Sequence, residues 1–212
     1  MAETFDVIVI GAGVHGASTA FHLAERGAKV LVLDRAAAAS GATGRSSGLV
    51  RMHYDLKAES ALAWRSYDYF VNWESRVGGE CGFTKTGFVR IVPQDQEANL
   101  RANVADQQEL GIPTSIIPAS DVRRLAPMLT TDDFNIAAYE PDSGYADPTS
   151  TCNSLLAAAR RLGAIYRPST PVDSIEVESG RIVGVRTAKG SISAPIVVLA
   201  AGAWSGALAK SA

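Results

Sequence analysis

Apolar residues recur along this chain with two periods. Phe5 to Ile10, "FDVIVI", and Lys29 to Leu33, "KVLVL", are short β-branched runs of the kind that form buried strands. Val14 to Arg26 between them is rich in helix formers and stops at Gly27, so the three make a βαβ unit with a parallel sheet. From Glu59 to Val77 the residues Leu62, Tyr69, Phe70, Trp73 and Val77 recur at helical spacing, ended by Gly78-Gly79. Phe83 to Val92, with Gly87 in the middle, predicts a strand or hairpin; Asp95 to Leu110 predicts a polar helix closed by Gly111. Ser120 is placed to cap a brief helix stopping before Pro127, and Phe134 to Tyr139 reads as a strand. Asp147 as N-cap, Pro148 at the first helical position and Gly163 as the stop define another helix. Val172 to Val177, Ile182 to Thr187 and Ser191 to Ser193 form a β-meander across two turns. Ile196 to Ala200, "IVVLA", is a third buried strand leading into Gly202, and Ser205 to Ala212 begins a helix.

Composition narrows the class without choosing a function. With 212 residues, 47% hydrophobic and 20% charged, the chain can bury a substantial core. A formal charge of -2 lacks the basic footprint of a nucleic-acid binder. No apolar run approaches the about 18 residues of a membrane span, and the N-terminus has no basic region of a signal peptide. The only cysteines, Cys81 and Cys152, lack metal-type spacing and suit a reducing compartment. A soluble cytoplasmic protein is the expectation.

The first chemistry lies between the first strand and helix, where Gly11, Gly13 and Gly16 form G-x-G-x-x-G. Gly11 allows the tight turn, Gly13 lets backbone approach a pyrophosphate, and Gly16 lets helix lie close on strand. The helix N-terminus, with Val14 and His15, directs free N–H groups at an anion. Asp34 stands at the end of the second strand, placed to hold a ribose 2′-hydroxyl, followed by Arg35. A carboxylate there disfavours a 2′-phosphate. The motif does not separate FAD from NAD, but the layout does. A nicotinamide dehydrogenase continues strand, helix, strand. This chain inserts a long segment and a meander before its third buried strand, the layout of FAD enzymes.

After Asp34 comes "GATGRSSGLVR", half glycine and serine yet holding two arginines. Its composition suits a flexible linker; the alternative is a loop that wraps backbone amides and guanidinium groups around an anion. Glycines let main-chain amides converge on an acceptor, Thr43, Ser46 and Ser47 add hydroxyls, and Arg45 adds charge.

The segments "DVIVIGAGVHGASTAFHLAERGAKVLVLDR", "SGATGRSSGLVRMHY", "PDSGYADPTSTCNSLLAAARRLGA" and "GVRTAKGSISAPIVVLAAGAWSGAL" together resemble the D-amino-acid oxidase/sarcosine oxidase family of FAD-dependent amine oxidoreductases. The likeness is strongest to its sarcosine oxidase β-subunit and dimethylglycine dehydrogenase branches. The resemblance implies an α/β fold: a Rossmann-type FAD-binding domain, with parallel sheet and β-meander, plus part of an α+β substrate domain. Residues 1–80 and 141–212 would form the FAD-binding domain and 81–140 the first part of the substrate domain. It further implies that Thr43, Gly44, Arg45, Ser46, Ser47, Gly48 and Leu49 line the pyrophosphate and isoalloxazine. Val172 would offer its backbone to the adenine, and Ala200, Ala201, Gly202 and Trp204 would pass close to the cofactor. Arg51 would take the substrate carboxylate, with Tyr54 framing the pocket; a purely structural Arg51, paired with Asp55 or Glu59, is the alternative. FAD is expected to be non-covalent, His53 being the one candidate tether.

The implied activity is oxidation of a secondary or tertiary amino acid, such as sarcosine, dimethylglycine or proline, by hydride transfer to flavin N5. Alternatives are a related flavoprotein for a hydroxy acid or glycerol phosphate, and a non-catalytic cofactor-binding product. Family oxidases often carry a basic residue three positions before the arginine matched by Arg51. Gly48 stands there, which favours a protein electron acceptor or other subunits as partners over direct use of oxygen. Family members run to nearly twice this length, so the chain is expected to be an N-terminal fragment, inactive alone.

Overall fold

A computed structural model describes residues 3–212. Its elements begin with β1 (Val7–Ile10), α1 (Val14–Glu25), β2 (Val30–Leu33), β3 (Leu49–Val50), α2 (Lys57–Val71) and α3 (Trp73–Arg76). Next come β4 (Thr84–Lys85), β5 (Phe88–Ile91), α4 (Glu97–Glu109), β6 (Ser115–Pro118), α5 (Ala119–Leu125), β7 (Ile136–Glu140) and β8 (Gly144–Tyr145). The chain continues through α6 (Pro148–Arg161), β9 (Ile165–Arg167), β10 (Val172–Glu178), β11 (Arg181–Thr187), β12 (Gly190–Ser193), β13 (Ile196–Leu199) and α7 (Ser205–Ala209). It divides into two units. The first holds the chain up to Ser47, Glu74–Cys81 and Asp147–Ala212; the second holds Gly48–Trp73 and Gly82–Ala146.

The first unit is a parallel sheet, ordered β13-β1-β2-β9, with Val7 to Ile10 paired to Ile196 to Leu199 on one side and Val30 to Leu33 on the other. All of β1 and β2 is buried because both faces are covered. On one face Ile8, Ile10, Leu31 and Leu33 meet Ile175, Val185 and Ile192 of the meander β10-β11-β12. The second layer is helical, with α1 packed on β1, β2 and α6. Ala17, Ala20 and Ala24 give α1 a small buried stripe at helical spacing, which lets it lie close. Asp147 caps α6 as the sequence predicts, its Oδ1 accepting from the Ser150 amide at 2.5 Å, with Pro148 behind it.

One sequence reading differs here, and one strand was not anticipated. Ile196, in the strand expected to be buried, is 53% exposed, so β13 is partly open. The edge strand β9 has no signal of its own, since "IYR" is three residues of mixed polarity paired only to β2.

The second unit contains a sheet ordered β5-β7-β6 and a small one ordered β3-β8-β4. Along β5 the side chains alternate, as a strand requires. Val92, just beyond β5, packs with Leu100 and Val104 of α4, while Val89 packs with Val122 of α5 and Phe134. The predicted hairpin around Gly87 does not form. Gly87 has φ +76 and turns the chain out of one sheet and into the other, so β4 pairs with β8 and β5 with β7. Ser120 lies inside α5 rather than capping it, because the helix starts at Ala119 with Pro118 as the extended residue before it. The helix read over Glu59 to Val77 breaks at Asn72 into α2 and α3.

The boundaries also differ. Residues 48–73 and 141–146, read with the cofactor domain, belong with the second unit. Leu49 and Val50 pair with Tyr145 and Gly144, and Met52 and Tyr67 share a core with Ile112. None of the described helices is long and apolar enough to cross a membrane.

Candidate functional site

At the carboxyl end of the parallel strands the first unit opens a cavity of 490 Å³. Open α/β sheets place their ligands at such an end, and the volume lies within the ordinary range for small-molecule sites. Gly11, Gly13, Val14, His15, Asp34, Arg35, Thr43, Arg45, Val172, Ala200, Ala201, Gly202 and Trp204 all line it. Thus residues from four distant parts of the chain converge on one cavity.

The glycines have separate roles. Gly11 has φ +110, and a Cβ there would run into the Ala200 carbonyl. A Cβ on Gly16 would overlap the Gly11 carbonyl, so Gly16 supports the turn from behind and does not line the cavity. Gly13 would place a Cβ 3.0 Å from Thr43 Oγ1, with nothing else against it within 4 Å. Gly44 supports too: a Cβ there would strike the Ala39 carbonyl.

Hydrogen bonds fix the loops to each other. Asp34 Oδ2 accepts from the Ala12 amide at 2.7 Å and Oδ1 from the Ala36 amide at 2.8 Å. These two bonds tie the glycine turn to the end of β2 while leaving lone pairs on both oxygens toward the cavity. Thr43 Oγ1 accepts from the Val14 amide at 3.0 Å, which brings the second loop onto the first N–H of α1. Cys152 Sγ donates to the Ala12 carbonyl at 3.1 Å; burial pushes its thiol up to about 11, an unreactive structural cysteine. The Arg35 guanidinium lies 4.4 Å from the Trp204 ring centroid, a cation–π pair on the cavity wall.

Other expected residues stand apart. Ser46 and Ser47 close the first unit and do not line the cavity; Gly48 and Leu49 belong to the second unit. Leu49 is 49% exposed beside its cross-strand partner Tyr145. Sequence reasoning missed Ser40, Thr170, Pro171, Ala207 and Leu208 on the cavity wall. Only the last two carried a signal, lying one helical turn beyond Trp204.

In the second unit the Arg51 guanidinium is 4.9 Å from the Tyr54 ring centroid and 5.3 Å from that of Phe88. It pairs with neither Asp55 nor Glu59 among the described residues; Asp55 accepts from Asn103 Nδ2 at 3.4 Å instead. Behind Arg51 lies a carboxylate that sequence reasoning overlooked. Glu140 is fully buried, and its Oε2 accepts from the Met52 amide at 3.1 Å and the Ser143 hydroxyl at 2.7 Å. Burial raises its pKa above the usual range. The alternation along β7 could have exposed it, since Glu140 shares a face with buried Ala138. His53 is 2% exposed, and burial, with Arg90 and Arg51 nearby, lowers its pKa to about 4.

A parallel sheet ending in a glycine turn, an acidic residue on the second strand and a meander over the sheet define a dinucleotide-binding flavoprotein architecture. The chain belongs to the FAD dependent oxidoreductase family, whose model matches residues 6–212. It is 29% identical to the mitochondrial sarcosine dehydrogenase of Homo sapiens, over 100% of this chain and 24% of that protein. It is 28% identical to the mitochondrial pyruvate dehydrogenase phosphatase regulatory subunit of Mus musculus, over 93% of this chain and 23% of that protein. Among solved structures, L-proline dehydrogenase from P. horikoshii superposes with a TM-score of 0.92 at 28% identity, covering 100% of this chain and 56% of that one. The chain therefore spans about a quarter of the length of these curated relatives.

The site fits the family's cofactor. Gly13 leaves a space that any side chain would narrow, and Asp34 offers free lone pairs beside it.

Proposed function

We propose that this chain holds FAD non-covalently in the 490 Å³ cavity. In the whole protein it would serve oxidation of a secondary or tertiary amino acid such as sarcosine, dimethylglycine or proline. The observation that carries this reading is the convergence of the glycine turn, Asp34, the Thr43 loop and Val172 on one cavity. Asp34 would accept from the ribose hydroxyls. The amides at the start of α1, with Thr43 and Arg45, would face the pyrophosphate. Arg35 and Trp204 would close one wall, and Val172 would receive the adenine. The chemistry supplied by the bound flavin is acceptance, at N5, of a hydride from the carbon next to nitrogen.

Arg51 would take the substrate carboxylate. Its fork is free of ion pairs among the described residues, and two rings hold it in place. Burial of His53, Cys81 and Cys152 supports non-covalent attachment, because none presents a nucleophile at the surface. Gly48 in place of a basic residue supports a protein electron acceptor.

Purified protein should show a flavin spectrum and release FAD into the supernatant on acid precipitation. Recovery of NAD alone would overturn the cofactor assignment, and yellow colour in the pellet would overturn non-covalent binding. A second reading, binding without turnover, draws on the likeness to a protein named as a regulatory subunit. Flavin retained by the whole protein without amine oxidation would favour it.

A further inference from the structure

Glu140, the last residue of β7, is the one fully buried carboxylate among the described residues. It makes no ion pair among them, and its Oε1 has no hydrogen-bond partner. An apolar side chain would fill such a position at lower cost, because a desolvated carboxyl is stabilised only by what it bonds. What Glu140 bonds is the stretch that carries Arg51. Its Oε2 accepts from the Met52 amide at 3.1 Å, across 88 positions of sequence. The Ser143 hydroxyl donates to the same oxygen at 2.7 Å and so aims it. Two residues further on the chain is held again, where the fully buried Ser60 hydroxyl accepts from the Tyr54 amide at 3.3 Å. Arg51 stands at the end of this clamped segment, half-buried, with its guanidinium against the Tyr54 and Phe88 rings.

Phe88 is the direct cross-strand partner of Glu140 in the β5–β7 pair. Residues directly opposed in an antiparallel pair share a face, so the ring and the carboxyl leave the sheet together. The same ring lies 6.4 Å, centroid to centroid, from His53, the residue after Met52. One rung of the sheet therefore supplies both supports of Arg51: Glu140 holds the backbone beside it, and Phe88 holds the face of its guanidinium. Arg90 lies outside this arrangement. It lines a 330 Å³ cavity beside His53, between β5 and α4, together with Asp55 of opposite charge.

We propose that Glu140 is a positioning residue for Arg51, fixing through the Met52 amide the place from which the guanidinium fork takes a substrate carboxylate. This rests on the reading of Arg51 as the carboxylate binder. A fork delivers two hydrogen bonds only when its plane meets both oxygens. On a loose segment, a long arginine side chain would lose binding free energy to ordering. Clamped at Met52 and Tyr54, the segment is ordered before a ligand arrives. Contacts to a carboxylate remote from the reacting carbon are alike in ground and transition states, so weakening them raises KM and leaves kcat.

The test is a double-mutant cycle in the whole protein, with sarcosine, dimethylglycine and proline in turn as probe substrates. Glu140→Ala should raise KM about tenfold or more, with kcat within about twofold and flavin content unchanged. Glu140→Gln keeps an acceptor oxygen for the Met52 amide and should recover most of that loss. With Arg51→Met already in place, neither Glu140 variant should raise KM further, because a residue acting through Arg51 has nothing left to act on. The dissociation constant of acetate, read from the Tyr54 ring resonance, should follow the same pattern and does not depend on turnover. Unchanged KM and acetate affinity in Glu140→Ala would give Glu140 a purely structural role and overturn the proposal. A rise of equal size with and without the Arg51 guanidinium would overturn it too. So would a fall in KM in Glu140→Gln, which would mean that the Glu140 charge competes with the ligand. If Glu140→Ala does not fold, Glu140→Asp and Ser143→Ala decide: the first draws the carboxyl back from Met52 and the second frees its aim. Each should raise KM about threefold, and unchanged values in both would sink the idea. Arg51→Met with unchanged KM would instead withdraw the carboxylate reading itself, whereas a rise in Arg51→Met alone removes only the role of Glu140.

Discussion

The two units treat buried polar groups in opposite ways. Around the glycine turn the buried or half-buried polar atoms of Asp34, Thr43 and Cys152 all bond to backbone. Tyr166 is the one residue of the first unit with an orphaned buried side-chain atom, among the described residues. The second unit buries His53, Gln107 and a Glu140 whose Oε1 has no partner. A fully bonded site is preorganised: its shape is set before a ligand arrives. A site with orphans still needs a ligand, water or proton to complete it. The first pattern belongs to a fixed cofactor cradle and the second to a unit that responds to its surroundings.

The largest expected effect breaks the cradle. In Gly16→Val the new side chain overlaps the carbonyl of Gly11, whose own amide donates to the Leu33 carbonyl at the end of β2, beside the bond from the Ala200 amide to the Ile10 carbonyl. The turn cannot move without unpairing the sheet, so stability should fall by about 4 kcal/mol or more. Flavin should be lost with it. Thermal denaturation and the flavin spectrum measure both; a folded, flavin-loaded Gly16→Val protein would refute the preorganised cradle.

Next comes Arg51→Met, assayed in the whole protein. Removing the guanidinium strands a desolvated carboxylate, a loss of about 2–5 kcal/mol in binding, or tens- to thousands-fold in KM. Flavin content should stay normal. Unchanged kinetics would return Arg51 to a structural role.

The responsive unit should show itself in pH dependence. His53 has its pKa lowered to about 4 from 6.5, so the unfolded chain binds more protons between these values. Stability then falls as pH drops from about 6.5 toward 4, by about 3 kcal/mol at most. Glu140 is shifted the other way. Its folded form binds the extra proton, so stability falls as pH rises above its ordinary 4.5. The two slopes oppose each other. His53→Gln should steepen the loss toward high pH, and Glu140→Gln should steepen the loss toward low pH. Melting temperatures across this range would show it; identical profiles in both variants would remove the contrast between the units.

How far these features were legible in sequence follows from the same physics. The cradle rests on local rules: a strand, G-x-G-x-x-G, a helix and Asp34 all lie within thirty-four residues. Each residue type there has one dominant backbone reason to be present. Arg51 was legible only through resemblance, and its cation–π partner Phe88 comes from a distant strand. The short strands β3, β8 and β9 carry too few residues for a periodic signal and are held by their partners. Glu140 and the cavity beside His53 depend on pairing β7 with β5 and seating α4 on them. No local pattern encodes that arrangement.

The smallest effect tests how tightly the cradle is joined. Thr43 Oγ1 bonds the Val14 amide and also occupies the space nearest a Gly13 Cβ, 3.0 Å away. Thr43→Ala removes one hydrogen bond, worth about 0.5–1.5 kcal/mol. Val14 is half-exposed, so water replaces part of that loss. The fold should hold, while FAD affinity should drop by up to about tenfold. Gly13→Ala alone should weaken FAD more, because its methyl group crowds Thr43 and narrows the approach to the phosphates. In the double variant the crowding against Thr43 disappears, so the two losses should sum to more than the measured one. The shortfall is the coupling energy of residues in contact, about 0.5 kcal/mol or more. Strict additivity in FAD affinity would mean that the Thr43 loop and the glycine turn bind independently, and the cradle would then be two loops that only share a cavity.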